Sequence, residues 1–191
     1  MQKENGETIA VTDTAENRHE AVWAGILASV SVVGSWAFVC MMPFAAIGTL
    51  LAATLPLRKA MMWVGALWLY NQLVGYLILD YPRTVSSFAL GGALLLAGLG
   101  SLLIAHVVLR LRQSAKLLDL SLALLAAFAV FELVLFVAAL FFGGTHNFTP
   151  DIIWLIGRND LIWFAGFMIL RFALVRGLPG YVGSIVARNP A

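Results

Sequence analysis

Residues 117–142 read LLDLSLALLAAFAVFELVLFVAALFF, an apolar run that is interrupted only by Asp119, Ser121 and Glu132. A helix that crosses a hydrocarbon core of about 30 Å needs about 20 mostly apolar residues. Backbone polar groups in lipid must be satisfied within the structure itself, which leaves helices or closed barrels. Because this run is continuous and does not alternate as a barrel strand does, it predicts a transmembrane helix.

The composition of the whole chain extends this prediction beyond one segment. Of 191 residues, 61% are hydrophobic and 12% are charged, with a net charge of +2. A soluble domain is about 45–50% apolar and about 25% charged. The chain therefore lacks the polar surface of a water-soluble enzyme and the dense basic face of a nucleic-acid-binding module. Its single cysteine, Cys40, excludes an intrachain disulfide, and we expect neither a metal site nor a cofactor.

Proline, glycine and charged residues divide the chain into six predicted spans. Pro43 interrupts a first apolar region that is too long for one helix. Thr149-Pro150 is typical of an N-cap followed by the first residue of a helix. The predicted spans are 21–41, 44–57, 60–79, 85–109, 117–142 and about 150–176. The predicted fold is an all-α polytopic membrane protein with a transmembrane domain over 21–178, between polar tails at 1–20 and 179–191.

The basic residues orient this topology. With six spans, ten of the twelve Lys and Arg residues lie on the side that holds both termini, and Arg83 and Arg158 lie on the other. Cytoplasmic loops carry the excess of Lys and Arg. We therefore expect both termini in the cytoplasm and the chain in the inner (plasma) membrane. A five-span alternative, in which 21–57 is a single span, loses this asymmetry.

Glu132 lies near the centre of the fifth predicted span and has no basic residue three or four positions away. An ionisable residue inside a span is costly and by default marks a functional site. Either Glu132 contacts a ligand, an ion or a partner helix, or it is a neutral acid that makes one structural hydrogen bond between helices.

A polar and aromatic stripe runs along the third predicted span. Trp68, Gln72, Tyr76 and Asp80 recur at intervals of four residues and so share one helix face, with Asn71 beside them. Such a stripe predicts a pocket open to the outer side, with aromatic walls and a few polar anchors. The alternative is ordinary packing, with amides that bridge helices and aromatic residues at the membrane interface.

The predicted outer loops supply the mouth of this pocket. Tyr81 follows the third span, His146 and Asn147 follow the fifth, and Asp160 lies in the outer part of the sixth. The pair Gly143-Gly144 permits a mobile lid, although a solvated connector is an equal alternative. We expect Trp68, Tyr76 and Tyr81 to stack on a ligand, Asn71 and Gln72 to anchor it, and Glu132 to act as a buried acid, while Asp80, His146, Asn147 and Asp160 line the mouth.

Small residues favour close helix packing, either within the chain or with a partner. With its six short spans, cytoplasmic termini, outward pocket and the small-residue motif Ala24-x-x-x-Ala28, the chain resembles the substrate-binding S-components of energy-coupling-factor vitamin transporters. This resemblance implies capture of a vitamin or related micronutrient from the outer side. It also implies that Ala24 and Ala28 face a transmembrane coupling subunit with its ATPases, although some members are thought to act alone.

Three functions are consistent with the sequence. The first is a non-catalytic substrate-binding or transport protein whose partners are a small molecule and membrane lipids. The second is an accessory or assembly subunit of a larger membrane complex, in which polar groups only join helices. The third is an intramembrane enzyme acting on a lipid or quinone with Glu132 as acid and base.

Overall fold

The computed structural model describes residues 21–27, 29, 42–113 and 116–177, and all regular secondary structure in these ranges is helical. The predicted all-α class is therefore confirmed. Residues 21–27 form α1, and the later helices are α2 (Phe44–Thr54), α3 (Leu57–Leu77), α4 (Val85–Arg112), α5 (Leu117–Phe142) and α6 (Pro150–Gly177). A short 3-10 turn covers Thr145–Asn147. Both predicted tails and most of the first predicted span lie outside the described residues.

Three helices in the described part of the chain are long and apolar enough to cross a membrane: α4, α5 and residues Pro150–Ala173 of α6. Their outer surfaces carry large apolar side chains, among them Phe141, which is 78% exposed, and Trp154, which is 70% exposed. Water disfavours so much exposed apolar surface, whereas lipid does not. These helices indicate association with a membrane, and the six-span topology stays a prediction.

Helix α2 is shorter than the second predicted span. It has 11 residues and is therefore about 16 Å long, roughly half of a hydrocarbon core of about 30 Å. Two prolines set its limits, since Pro43 is its N-cap and Pro56 is the N-cap of α3. The predicted break at Arg58 and Lys59 is wrong, because α3 already begins at Leu57. Nearly every residue of α2 is buried, so this half-length helix belongs to the core of the bundle.

Helices α4 and α5 form the most extensive helix pair of the described fold. Ala97 and Ala105 of α4 and Ala123 and Ala127 of α5 are each fully buried. The Ser101 hydroxyl of α4 donates a hydrogen bond to the Ala127 carbonyl oxygen at 2.9 Å. Small residues with an interhelical hydrogen bond are a typical means of helix association in lipid. In this pair, the small residues serve packing within the chain.

Gly48 brings α2 against the backbone of α4. A Cβ atom at Gly48 would lie 3.2 Å from the Leu102 amide nitrogen, whereas one at Gly65 of α3 would meet nothing within 4 Å. We expect Gly48→Ala to lower the free energy of unfolding by about 1–2 kcal/mol, since overpacking must separate two backbones. The control Gly65→Ala should be neutral or raise it by up to about 1 kcal/mol, through helix propensity. Titration of both variants with SDS, followed by circular dichroism, measures the difference, and equal stabilities would contradict the close contact.

Two side-chain contacts join α1 to α2 and α4 to α5, at the end of the bundle where α2 and α4 finish and α5 begins. The Trp23 Nε1 group of α1 donates to Thr54 Oγ1 of α2 at 3.2 Å, and Arg112 Nε of α4 pairs with Asp119 Oδ1 of α5 at 2.7 Å. Ala24 is 1% exposed and lies in the hydrophobic core. Its expected role as a contact face for a coupling subunit therefore does not fit the structure, because its methyl group already packs within the chain. Ala28 lies outside the described residues.

Candidate ligand-binding site

A first cavity of about 340 Å³ lies among α2, α3, α4, α5 and α6, toward the end of the bundle that carries the loops 78–84 and 143–149. We call this the cavity end. Small-molecule sites have volumes of about 300–1,000 Å³ and are mostly apolar, with a few polar groups. The cavity matches that description, since its lining residues are Met42, Phe44, Asn71, Gln72, Tyr76, Tyr81, Ser87, Leu90, Gly91, Leu94, Phe131, Leu135 and Ile156.

The amides of α3 provide polar groups to this first cavity. Gln72 Nε2 donates a hydrogen bond to Asn71 Oδ1 at 3.4 Å. The Gln72 amide rests on Gly91 of α4, where a Cβ atom would lie 2.5 Å from Gln72 Oε1. A glycine at this position therefore leaves the space that the Gln72 side chain occupies. Four residues of the predicted pocket, namely Asn71, Gln72, Tyr76 and Tyr81, line one cavity.

A cluster of aromatic residues packs at the wall of the first cavity. The Tyr76 hydroxyl forms a hydrogen bond with Ser87 Oγ at 3.0 Å, which ties α3 to the start of α4. The Tyr76 ring stacks on Phe88 with 4.8 Å between centroids and meets the Tyr81 ring edge-on at 6.0 Å. These contacts fix the ring of Tyr76, so that its hydroxyl is held at the cavity wall.

The chain after α3 folds back to place Tyr81 in the wall. The Tyr81 amide donates to the Gly75 carbonyl oxygen at 3.0 Å. The Tyr81 ring occupies the space beside Gly75, where a Cβ atom would lie 2.6 Å from the ring. Asp80 makes this turn with a φ of 51°, a left-handed conformation that Asp tolerates better than most residues. Asp80 is exposed and belongs to neither cavity lining, and the structure shows it in the turn that positions Tyr81.

A second cavity of about 230 Å³ adjoins the first. Leu90, Leu135 and Ile156 line both cavities, so these apolar residues lie where the two cavities meet. The second cavity is lined at its polar positions by Glu132 and Asn147, and at its rim by the backbone of Gly143-Gly144. Both glycines have a positive φ, of 89° and 106°, which a residue with a side chain rarely adopts.

Glu132 lines the second cavity, and its carboxyl group has no hydrogen-bond partner among the described residues. Both of its oxygen atoms are buried, and neither has a hydrogen-bond partner among the described residues. Buried polar atoms are nearly always hydrogen-bonded, and each exception calls for an explanation. Of the two alternatives that the sequence left open, a hydrogen bond to another helix is not seen in the described structure.

Asp160 has a different role from the one expected at the mouth. It is 3% exposed, and its Oδ1 atom accepts a hydrogen bond from the Ala46 amide at 2.9 Å. The Ala45 amide is also directed at this carboxyl group. The first amides of a helix have no partner within it, and the N-cap Pro43 supplies no side-chain acceptor. Asp160, which lies half-way along α6, therefore caps α2 from another helix.

Two other predicted site residues do not line either cavity. The Trp68 Nε1 group donates to the Gly91 carbonyl oxygen at 2.7 Å, so the indole joins α3 to α4. His146 is exposed in the 3-10 turn, and only its neighbour Asn147 belongs to the second cavity. Trp68 follows the four-residue spacing of the stripe, but its indole is hydrogen-bonded to the backbone of α4 and does not line a cavity.

The sequence interpretation missed several lining residues. Phe44 and Phe131, with 6.1 Å between their ring centroids, form part of the floor, and Ser87 faces Tyr76 from α4. Nothing in the spacing of Ser87 distinguishes it from Ser86. Gly91 could have been identified from the sequence, because a glycine inside a helical segment suggests the close approach of another group.

Comparisons of the chain with protein-family models, with curated proteins and with solved structures find no match. The function is therefore argued from the cavities themselves. Within the described ranges, no three His, Cys, Asp or Glu side chains come together in a group that could hold a metal ion. The polar groups of the two cavities are three side-chain amides, hydroxyls and one carboxyl group, which suit an organic ligand.

Proposed function

We propose that the chain is a multi-pass protein of the plasma membrane that binds a small organic molecule in the first cavity, as a substrate-binding or transport protein. One observation carries the proposal. Asn71, Gln72, Tyr76 and Ser87 direct amide and hydroxyl groups into one otherwise apolar cavity of about 340 Å³. Sparse, convergent polar groups in an apolar cavity are typical of sites that orient a small ligand.

The cavity end faces the outer side in this proposal. The asymmetry of ten basic residues against two favours it, because the loops 78–84 and 143–149 then lie outside. Both termini lie in the cytoplasm. A ligand enters from the outer side past Tyr81 and the Gly143-Gly144 loop.

The resemblance to S-components suggests a vitamin or related micronutrient as the ligand and an energising partner with ATPases. Capture alone does not move a ligand against its gradient, so accumulation needs such a partner or an ion gradient. The buried Ala24 is not offered as the contact with that partner. Any docking face lies elsewhere on the chain.

Native mass spectrometry of the full chain, purified in mild detergent, tests the proposal. We expect a retained small molecule on the wild-type protein, and binding of the aromatic probe 2-phenylethanol after that molecule is removed. Gln72→Ala and Ser87→Ala should each weaken the probe by about 3–10-fold, since each removes a neutral hydrogen-bonding group. The matched control Ser86→Ala should stay within about twofold, because Ser86 bonds Thr84 outside the cavity.

The opposite result is equally clear. A wild-type chain that retains no small molecule and binds no probe would contradict the proposal. Co-purification of the chain with a larger membrane complex, again without a small molecule, would instead support the accessory subunit. Loss of lipid turnover in Glu132→Gln would support the enzyme.

A further inference from the structure

Glu132 is an acidic residue that lines the second cavity and not the first. Both of its carboxyl oxygens are buried without a hydrogen-bond partner among the described residues. An ionised carboxylate in such a place is strongly disfavoured unless a cation or several donors meet it. No described Lys or Arg does so.

The surroundings of Glu132 favour a positive guest. Its charged neighbour is a second acid, Asp160, which is close enough for the two carboxyl groups to interact electrostatically. The Asp160 Oδ1 atom accepts from the Ala46 amide, and no hydrogen bond joins the Asp160 and Glu132 carboxyl groups in the described structure. The other polar group of the second cavity is the Asn147 amide, which carries no charge. The described residues around Glu132 therefore offer acceptors and neutral groups but no positive charge that would hold an anionic ligand.

The two cavities together have the shape of a site for a two-part ligand. Glu132 and Leu135 lie one turn apart on α5, and Leu135 belongs to both cavity walls. A ligand in the first cavity that extended past Leu90, Leu135 and Ile156 would therefore approach Glu132. Its body would contact the rings of Tyr76, Tyr81 and Phe131, and its tip would reach the carboxyl group.

We propose that the ligand of this site is an organic cation, with an apolar or aromatic body in the first cavity and an ammonium or amidinium group that pairs with Glu132 in the second. This inference rests on the proposed function and adds the chemical class of the ligand. A charge-assisted hydrogen bond to a buried carboxylate is both strong and directional. Glu132 would then select cations over neutral and anionic molecules of the same shape.

Three probes of nearly the same shape test the charge preference. The full-length chain is placed in nanodiscs of phosphatidylcholine, and equilibrium dialysis measures the binding of 2-phenylethylamine, 2-phenylethanol and 3-phenylpropionate, with protein-free nanodiscs as the blank. We expect the amine to bind the wild-type chain at least about tenfold more tightly than the alcohol, and the acid to bind most weakly.

Variants of Glu132 locate the preference. Glu132→Gln should lower the affinity for the amine by about tenfold or more and leave the alcohol within about twofold. Glu132→Asp keeps the charge and should keep the preference. The control Asp151→Asn removes an exposed acid from the first turn of α6, at the same end of the bundle, and should also keep it.

Each outcome is decisive. Equal affinity of the wild-type chain for the amine and the alcohol, or a preference that survives in Glu132→Gln, would overturn the organic-cation inference and leave the binding cavity standing. Failure of all three probes to bind the wild-type chain would overturn the organic-cation inference, and it would overturn the proposed function as well when native mass spectrometry also finds no retained small molecule. If Glu132→Gln does not fold, the wild-type comparison and Glu132→Asp still decide the charge preference.

Discussion

Replacing Asp160 with Leu is expected to lower the free energy of unfolding by about 3 kcal/mol. The Asp160 carboxyl accepts from the Ala46 amide at 2.9 Å in a site that is 3% exposed. A hydrogen bond contributes about 0.5–1.5 kcal/mol, and leaving its buried partner unsatisfied adds about 1–3 kcal/mol. Burial of the Leu side chain offsets part of this loss.

The reason for so large an effect is the position of α2. Its N-terminus lies in the core, beside the middle of α6, and Pro43 cannot cap it with a side chain. A helix end inside the bundle has no water to replace the lost acceptor, unlike a helix end at a surface.

Two further variants separate the cap from the charge. Asp160→Asn keeps an oxygen that can accept from the Ala46 amide, and it also removes a negative charge beside Glu132. We expect it to lose less than about half of what Asp160→Leu loses. Asp151→Asn, in the exposed first turn of α6, should lose less than about 1 kcal/mol. Titration with SDS measures all three, and an Asp160→Leu variant as stable as the wild type would contradict the cap.

The helices could be predicted from the sequence because their limits are local. Gly143 ends α5, and Thr149 with Pro150 begins α6, as the capping pattern indicated. The start of α3 was predicted three residues late. The charge of Arg58 and Lys59 suggested a loop, whereas Pro56 at the N-cap lets the helix begin before them.

The site could be predicted only in part, since periodicity gives the face of a helix but not what meets it. Gln72 and Tyr76 reach the cavity that their spacing predicted. Trp68 shares their face but bonds to the Gly91 carbonyl of α4. Asp160 looked like an outer polar residue, and its partner Ala46 lies 114 residues away in the chain. No local pattern contains such a contact.

Filling the first cavity from α4 is expected to abolish ligand binding. Gly91 lines the cavity, and the direction of its missing Cβ atom points at the Gln72 amide. In Gly91→Leu, the new side chain displaces that amide and occupies space that the ligand needs. We expect the affinity for 2-phenylethanol to fall at least about 100-fold, which is about 2.7 kcal/mol of binding free energy. The Trp68 bond to Gly91 survives, because its acceptor is the backbone carbonyl.

The adjacent glycine supplies a control of the same kind. A Cβ atom at Gly92 would meet nothing within 4 Å, and Gly92 lines neither the first nor the second cavity. Both Gly→Leu changes gain helix propensity, by up to about 1 kcal/mol, so a difference in binding between them does not arise from the stability of α4. Gly92→Leu should bind the probe within about twofold of the wild type. If Gly91→Leu binds the probe as tightly as the wild type, the ligand does not occupy the first cavity. A movement of the flexible Gln72 side chain alone does not make room for both a leucine and an aromatic ring.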